Sequence, residues 1–132
     1  HKMNKSVVGL VIPLGTTINM DGTALYQAAA AIFIAQAYGI DLTTLQMVSI
    51  VVLTIAGSIG TPGIPSAGIP ILAGILASQG IPVEGIALIM GVDRLLDMSR
   101  TVVNVMGDLT AAAVLEKLIG KRFDKAAGKS KT

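Results

Sequence analysis

The stretch Asp93-Arg94-Leu95-Leu96-Asp97-Met98-Ser99-Arg100-Thr101-Val102-Val103-Asn104-Val105-Met106-Gly107-Asp108 sets three acids, two arginines and an amide into an otherwise apolar run. With Arg94 left aside, Asp93, Asp97, Arg100, Asn104 and Asp108 follow one another at spacings of 4, 3, 4 and 4. At about 100° per residue these positions fall within a sector of about 80°, one narrow stripe on an α-helix. Arg94 points off the stripe by about 100°. Thr101 and Thr110 border it, and Leu, Val, Met and Ala fill the remaining surface. Such a stripe is strongly disfavoured against lipid, so it faces protein or a water-filled site.

The rest of the composition is that of a membrane chain. Of the 132 residues, 52% are hydrophobic and 14% charged, with a mean hydropathy of +0.74. A soluble domain carries about 25% charge. Six of the ten Lys and Arg lie between Lys117 and Lys131, and two more are Lys2 and Lys5. Between Lys5 and Arg94 there is no base, and Asp21, Asp41 and Glu84 are the only charges before Asp93. Bilayer-embedded chains omit Lys and Arg in this way. The basic ends predict that both termini are cytoplasmic and that the number of full crossings is even. Because the bases cluster at the ends, the pI of about 9.1 does not indicate nucleic-acid binding. The lack of cysteine excludes disulfides, thiolate metal sites and cysteine nucleophiles. Because His1 stands where an initiator Met would, the chain is expected to be a piece of a longer one, and the first apolar run is expected to be too long for a signal peptide.

Four apolar blocks follow along the chain. The first, 6–38, exceeds the roughly 20 residues of one span and is interrupted at Gly15-Thr16-Thr17-Ile18-Asn19-Met20-Asp21-Gly22-Thr23. An acid and two glycines there predict a transmembrane helix that unwinds at mid-membrane, where freed carbonyls can bind cations. The second and third blocks, Leu45 to Ile59 and Ile69 to Ser78, are each too short to cross. Between and around them, Gly57 to Pro70 holds three prolines and four glycines, which forbid a continuous helix. Two short apolar arms about such a tip describe a re-entrant helical hairpin over 42–79. The fourth block, 86–119, is the last transmembrane helix, and 121–132 is a basic cytoplasmic tail that frays or lies on an anionic leaflet. The fold expected is all-α and membrane-embedded.

Three carboxylates against one aligned guanidinium leave negative charge on the stripe uncompensated, and a bound cation is the simplest remedy. Oxygen ligands from Asp108, Asn104 and unwound carbonyls suit Na⁺ or another hard cation, while the lack of Cys and of any internal His argues against a transition metal. Arg100 offers a planar fork for a carboxylate, and Asp97, one turn away, can receive an ammonium. Together they read as the two ends of an acidic amino acid. The blander reading makes Asp97 and Arg100 an internal ion pair, which accounts for two residues of the stripe only.

Asn19-Met20-Asp21-Gly22-Thr23, the tip Ser58-Ile59-Gly60-Thr61, and Asp97 to Asp108 together resemble the glutamate/aspartate:cation symporter family (dicarboxylate/amino acid:cation symporters). The likeness runs over residues 6 to 118 in the family's order. It implies the seventh transmembrane helix, second re-entrant hairpin and eighth helix of the transport domain of a homotrimeric, elevator-type carrier in the cell inner membrane, with no enzyme activity. By this resemblance Arg100 holds the substrate side-chain carboxylate with help from Thr23, Asp97 takes the amino group, and Thr101 and Asn104 take the main-chain part. Backbone groups at Ile64 and Gly68 close over the ligand, and Asp93 braces Arg100. One sodium site uses carbonyls of Gly15, Asn19 and Asn104 with the Asp108 carboxylate. A second uses carbonyls of Thr17, Ser58, Ile59 and Thr61 with the Met20 sulfur nearby, and a third involves Asn19 and Asp21. Some bacterial relatives couple to H⁺ instead of Na⁺. Pro62 after the tip threonine resembles the bacterial branch, and Ser99 departs mildly from the pattern. The earlier helices and first hairpin of the family are absent, so the chain by itself is expected to bind lipid and the rest of its parent carrier but not to transport.

Other classes fit less well. An intramembrane aspartyl protease needs a second aspartate on a neighbouring helix, and a rhomboid-like enzyme needs an internal His. Gly57, Gly60 and Gly63 lack dinucleotide-loop spacing, and no Gly-Lys-Ser/Thr occurs. A proton-coupled glutamate or dicarboxylate symporter, a channel-like module and a purely structural membrane module remain as alternatives.

Overall fold

The computed structural model describes residues 3, 5–61, 63–64 and 66–126, and all of its regular structure is helical among them. Pro62 and residues 127–132 of the basic tail lie outside the described residues. The elements are α1 (Lys5–Ile18), α2 (Asp21–Ala37), α3 (Thr44–Ile59), α4 (Gly68–Ser78), a 3₁₀ turn (Val83–Ile86) and α5 (Ala87–Ala126).

The first block is interrupted, but over two residues rather than nine. Only Asn19 and Met20 leave the helix, with Met20 at φ −97° and ψ 60°. Asp21, Gly22 and Thr23 instead form the first turn of α2, where an acid meets the positive end of the helix dipole. Two carbonyls at the break are already in use. Gly15 accepts from the Asn19 N–H at 2.8 Å, and Met20 accepts from Thr23 and Ala24 at 3.0 and 3.1 Å.

Helix ends elsewhere follow local chemistry. Thr43 and Gln46 form a reciprocal capping box at the start of α3. Helices α2 and α4 each end in a Schellman motif: Gly39 and Gly80 have φ of 67° and 70°, and the following Ile40 and Ile81 N–H groups reach back to Ala35 and Leu76 at 2.9 Å. The described residues between Ile59 and Gly68 are non-helical, and Pro70 is tolerated in the first turn of α4 because its missing N–H has no intrahelical partner there. Helix α5 continues to Ala126, past the Ile119 expected from hydropathy. The added residues include strong helix formers, which need no apolar surface to propagate a helix already begun.

Helix α2 is the centre of the packing. It lies against α3, α4 and α5, while α1 packs on α5. Ala30, Ala31, Ile34 and Ala35 of α2 form a core with Ile50, Leu72, Ile75, Leu76, Ile81, Ile86 and Ile89. The alanines let neighbouring backbones approach closely, as in helix packing within membranes. Outward faces are apolar too: Leu45 is 80% exposed and Leu95 67%, with Val48, Val52, Ile55, Met98, Val102 and Met106 also uncovered.

Among the described residues no helix is long and apolar enough to cross a membrane by itself. The crossings expected over 6–38 and 86–119 are therefore not present as single apolar spans. The first is divided at Asn19–Met20 into helices of 14 and 17 residues. The second is long enough at 40 residues, but the charges of its polar stripe interrupt its apolar surface.

Candidate functional site

The stripe on α5 is the face that packs inward. Asp93, Arg100 and Asp108 are 6%, 7% and 3% exposed, with Asp97 and Asn104 part-buried between them, whereas Arg94 is exposed. Opposite this face lies the α1–α2 break. Asn19 Nδ2 donates to Asp108 Oδ1 at 3.2 Å, and the Gly22 N–H, a free donor of the first turn of α2, donates to Asn104 Oδ1 at 2.8 Å. Gly15 lies so close to the Asp108 carboxylate that a Cβ there would collide with it.

The tip between α3 and α4 covers the middle of the stripe. A cavity of about 320 Å³ opens here, walled by Asn19, Met20 and Thr23 on one side and by Thr61, Gly63, Ile64 and Gly68 on another. Asp97, Arg100, Thr101, Asn104 and Asp108 form its floor, and Gly15 and Thr16 its far end. Met20 is buried, its thioether accepting from Thr23 Oγ1 at 3.7 Å.

Arg100 is held from two sides. It forms an ion pair with Asp97 one turn away, and its Cζ lies 4.7 Å from the centre of the Tyr26 ring. The arginine and its acid are thus paired with each other in this state. Asp93 reaches Arg100 through a neighbour: Tyr26 Oη donates to Asp93 Oδ1 at 2.8 Å, and Ser66 Oγ donates to Asp93 Oδ2 at 3.0 Å.

Twelve of the expected residues therefore converge on one cavity: Gly15, Asn19, Met20, Thr23, Thr61, Ile64, Gly68, Asp97, Arg100, Thr101, Asn104 and Asp108. Five do not line it. Thr17 is exposed, with its hydroxyl bonded to the Pro13 carbonyl at 2.9 Å. Ser58 is buried with its hydroxyl on the Ile55 carbonyl, Ile59 is 51% exposed, and Asp93 lies behind Tyr26. Asp21 faces a second, more open space of about 710 Å³ with Asn19, Met106 and Gly107. No group of three or more His, Asp or Glu side chains converges among the described residues, so any cation here depends on amide and carbonyl oxygens around single carboxylates.

Three residues escaped the sequence reading. Tyr26 and Ser66 bind Asp93, and the fully buried Gln27 donates from Nε2 to the Gly68 carbonyl at 3.1 Å. Tyr26 and Gln27 stand three and four residues after Thr23, on the same helix face, a spacing that carried the signal. Nothing local marked Ser66.

Residues 1–118 match the model of the sodium:dicarboxylate symporter family. The chain is 46% identical over 125 residues to excitatory amino acid transporter 3 of Mus musculus, covering 95% of this chain and 24% of that protein. It is likewise 46% identical over 125 residues to the proton/sodium-glutamate symport protein of Bacillus caldotenax, covering 95% of this chain and 30% of that one. With the protein of the same name from Bacillus subtilis it shares 46% over 116 residues, 88% of this chain and 27% of the relative. The chain thus spans between 24% and 30% of the length of these relatives.

Proposed function

The chain belongs to the sodium:dicarboxylate symporter family, and on that premise we propose that it forms the C-terminal part of the transport domain of a secondary carrier that moves an acidic amino acid together with Na⁺. The observation that carries this reading is the cavity beside the buried Arg100, walled by the hairpin tip and the α1–α2 break. Its volume of about 320 Å³ lies at the small end of ligand sites, about 300–1,000 Å³.

Charge explains why substrate and cation travel together. Asp93, Asp97 and Asp108 with Arg100 sum to a formal −2. An aspartate or glutamate adds a further net negative charge, which is unfavourable in a partly desolvated site unless cations enter with it. The substrate's side-chain carboxylate takes the Arg100 fork, Thr23 assisting, and its ammonium takes Asp97. One internal ion pair is thereby exchanged for two intermolecular ones. Thr101 and Asn104 hold the main-chain carboxylate, and the tip at Ile64 and Gly68 closes over it.

Asp108, with oxygens of Gly15, Asn19 and Asn104, forms the first Na⁺ site; the Thr17, Ser58, Ile59, Thr61 and Met20 region forms the second. Asn19 and Asp21 contribute to a third. The carbonyls at the break can accept a cation through their second lone pair. The names of the bacterial relatives carry both proton and sodium, so H⁺ is the alternative coupling ion. The uncovered apolar faces of α3 and α5 support burial against lipid or against the rest of a longer parent. In that parent α1 and α2 make one broken crossing, α3 and α4 a re-entrant hairpin, and α5 the last crossing, with both ends cytoplasmic in an inner-membrane homotrimer. The reading is tested by Arg100→Ala in the full-length carrier. Binding of aspartate and glutamate is abolished if it holds; binding of either at wild-type affinity refutes it.

A further inference from the structure

Among the described residues Ser66 is the single non-glycine residue with a left-handed backbone, at φ 59°. A residue with a Cβ meets a penalty of roughly 1–2 kcal/mol in that region, which glycine escapes. Such strain persists where surrounding contacts determine it. Here the contact is the hydrogen bond from Ser66 Oγ to Asp93 Oδ2 at 3.0 Å. Asp93 is 6% exposed, and its other oxygen accepts from Tyr26 Oη at 2.8 Å. The Tyr26 ring in turn lies 4.7 Å from Arg100 Cζ. Two residues past Ser66, Gly68 sits so near the guanidinium that a Cβ there would be 3.0 Å from Nη1. One buried carboxylate therefore ties the hairpin tip to the aromatic platform beneath Arg100.

We propose that Ser66 is a positioning residue that latches the hairpin tip. By donating to Asp93 it keeps Gly63, Ile64 and Gly68 beside Arg100, and through Asp93 and Tyr26 it fixes the plane of the guanidinium. Tip position and guanidinium orientation are then set by the same hydrogen-bonded group, so the cavity is shaped before substrate enters. The inference rests on the reading of Arg100 as the group that binds the substrate carboxylate. A hydrogen bond to a buried carboxylate is of the charge-assisted kind, and its removal leaves Oδ2 without its donor.

The test uses the full-length carrier and reads amide hydrogen exchange at Ala67 and Ile69, whose N–H groups donate to the Ile64 and Ser66 carbonyls at 3.3 and 3.1 Å. Ser66→Gly removes the hydroxyl while relieving the backbone, and Ser66→Asn keeps a donor on a residue type that tolerates the left-handed region. Expected for Ser66→Gly are faster exchange at these two amides without substrate and about tenfold weaker aspartate binding. Na⁺ binding in the absence of substrate stays unchanged, and Ser66→Asn restores slow exchange. Exchange and aspartate affinity equal to wild type in Ser66→Gly overturn the latch. Equal losses of Na⁺ and aspartate binding overturn it too, because they mark general damage to the fold. The exchange arm needs no substrate and so separates the two readings. If Ser66→Gly exchanges faster while Arg100→Ala still binds aspartate, the latch stands and the substrate assignment falls.

Discussion

Gly22→Ala opposes two effects of known size, and the structure decides between them. Helix propensity favours the change by at most about 1 kcal/mol, the value for a helix interior, since Gly22 is the second residue of α2. Contact geometry opposes it. A Cβ at Gly22 would stand 2.5 Å from the Arg100 carbonyl oxygen and 3.0 Å from Val103 Cβ. Ordinary contacts need about 3.5–4.0 Å, and the nearer atom is backbone on a long helix, with no rotamer to yield. Helices α2 and α5 must therefore move apart by about 1 Å. Overpacking of this kind costs about 1–3 kcal/mol. The same movement stretches the 2.8 Å bond from the Gly22 N–H to Asn104 Oδ1, worth about 1 kcal/mol. The net expectation is a destabilisation of about 1–3 kcal/mol. Because Arg100 and Asn104 both belong to the displaced face, aspartate affinity falls as well. Gly74→Ala in α4 is the control, since no atom lies within 4 Å of the added Cβ, and propensity alone raises stability by up to about 1 kcal/mol. Thermal melting of the two variants of the full-length carrier in detergent compares them directly. A Gly22→Ala protein that melts as high as Gly74→Ala would refute the close approach of α2 to α5.

Asp108→Asn removes the carboxylate that Gly15 and Asn19 contact, and the sodium titration of substrate binding is expected to shift about tenfold or more to weaker affinity; an unchanged titration excludes Asp108 as a cation ligand. Thr43→Ala deletes the α3 capping box, with a loss of about 1 kcal/mol read as faster amide exchange in the first turn of α3 while aspartate affinity is preserved.

The parts legible in the sequence are those governed by local rules. Helical periodicity alone placed Asp93, Asp97, Arg100, Asn104 and Asp108 on one face, because 3.6 residues per turn holds wherever a helix forms, and those residues do face inward. Proline and glycine chemistry likewise marked an interruption within Gly57 to Pro70, and the break falls inside it, between Ile59 and Gly68. Local rules fared worse where backbone bonds compete. Asp21 to Thr23 joined α2 because the Met20 carbonyl could accept from the N–H groups of Thr23 and Ala24, which no count of polar residues foretells.

Partnership across the chain was decided only by tertiary structure. Asp93 is 67 residues from Tyr26 and 27 from Ser66, and their bonds exist because α2 packs on α5 while the tip folds back between them. Ion pairing is similar: the spacing let Asp97 and Arg100 meet, and only the packed state shows the guanidinium shared between that acid and the Tyr26 ring. The stripe, then, belongs to the sequence. Which of its charges are satisfied internally, and which face an open cavity, belongs to the packing, because burial and the direction of each polar group depend on elements distant in the chain.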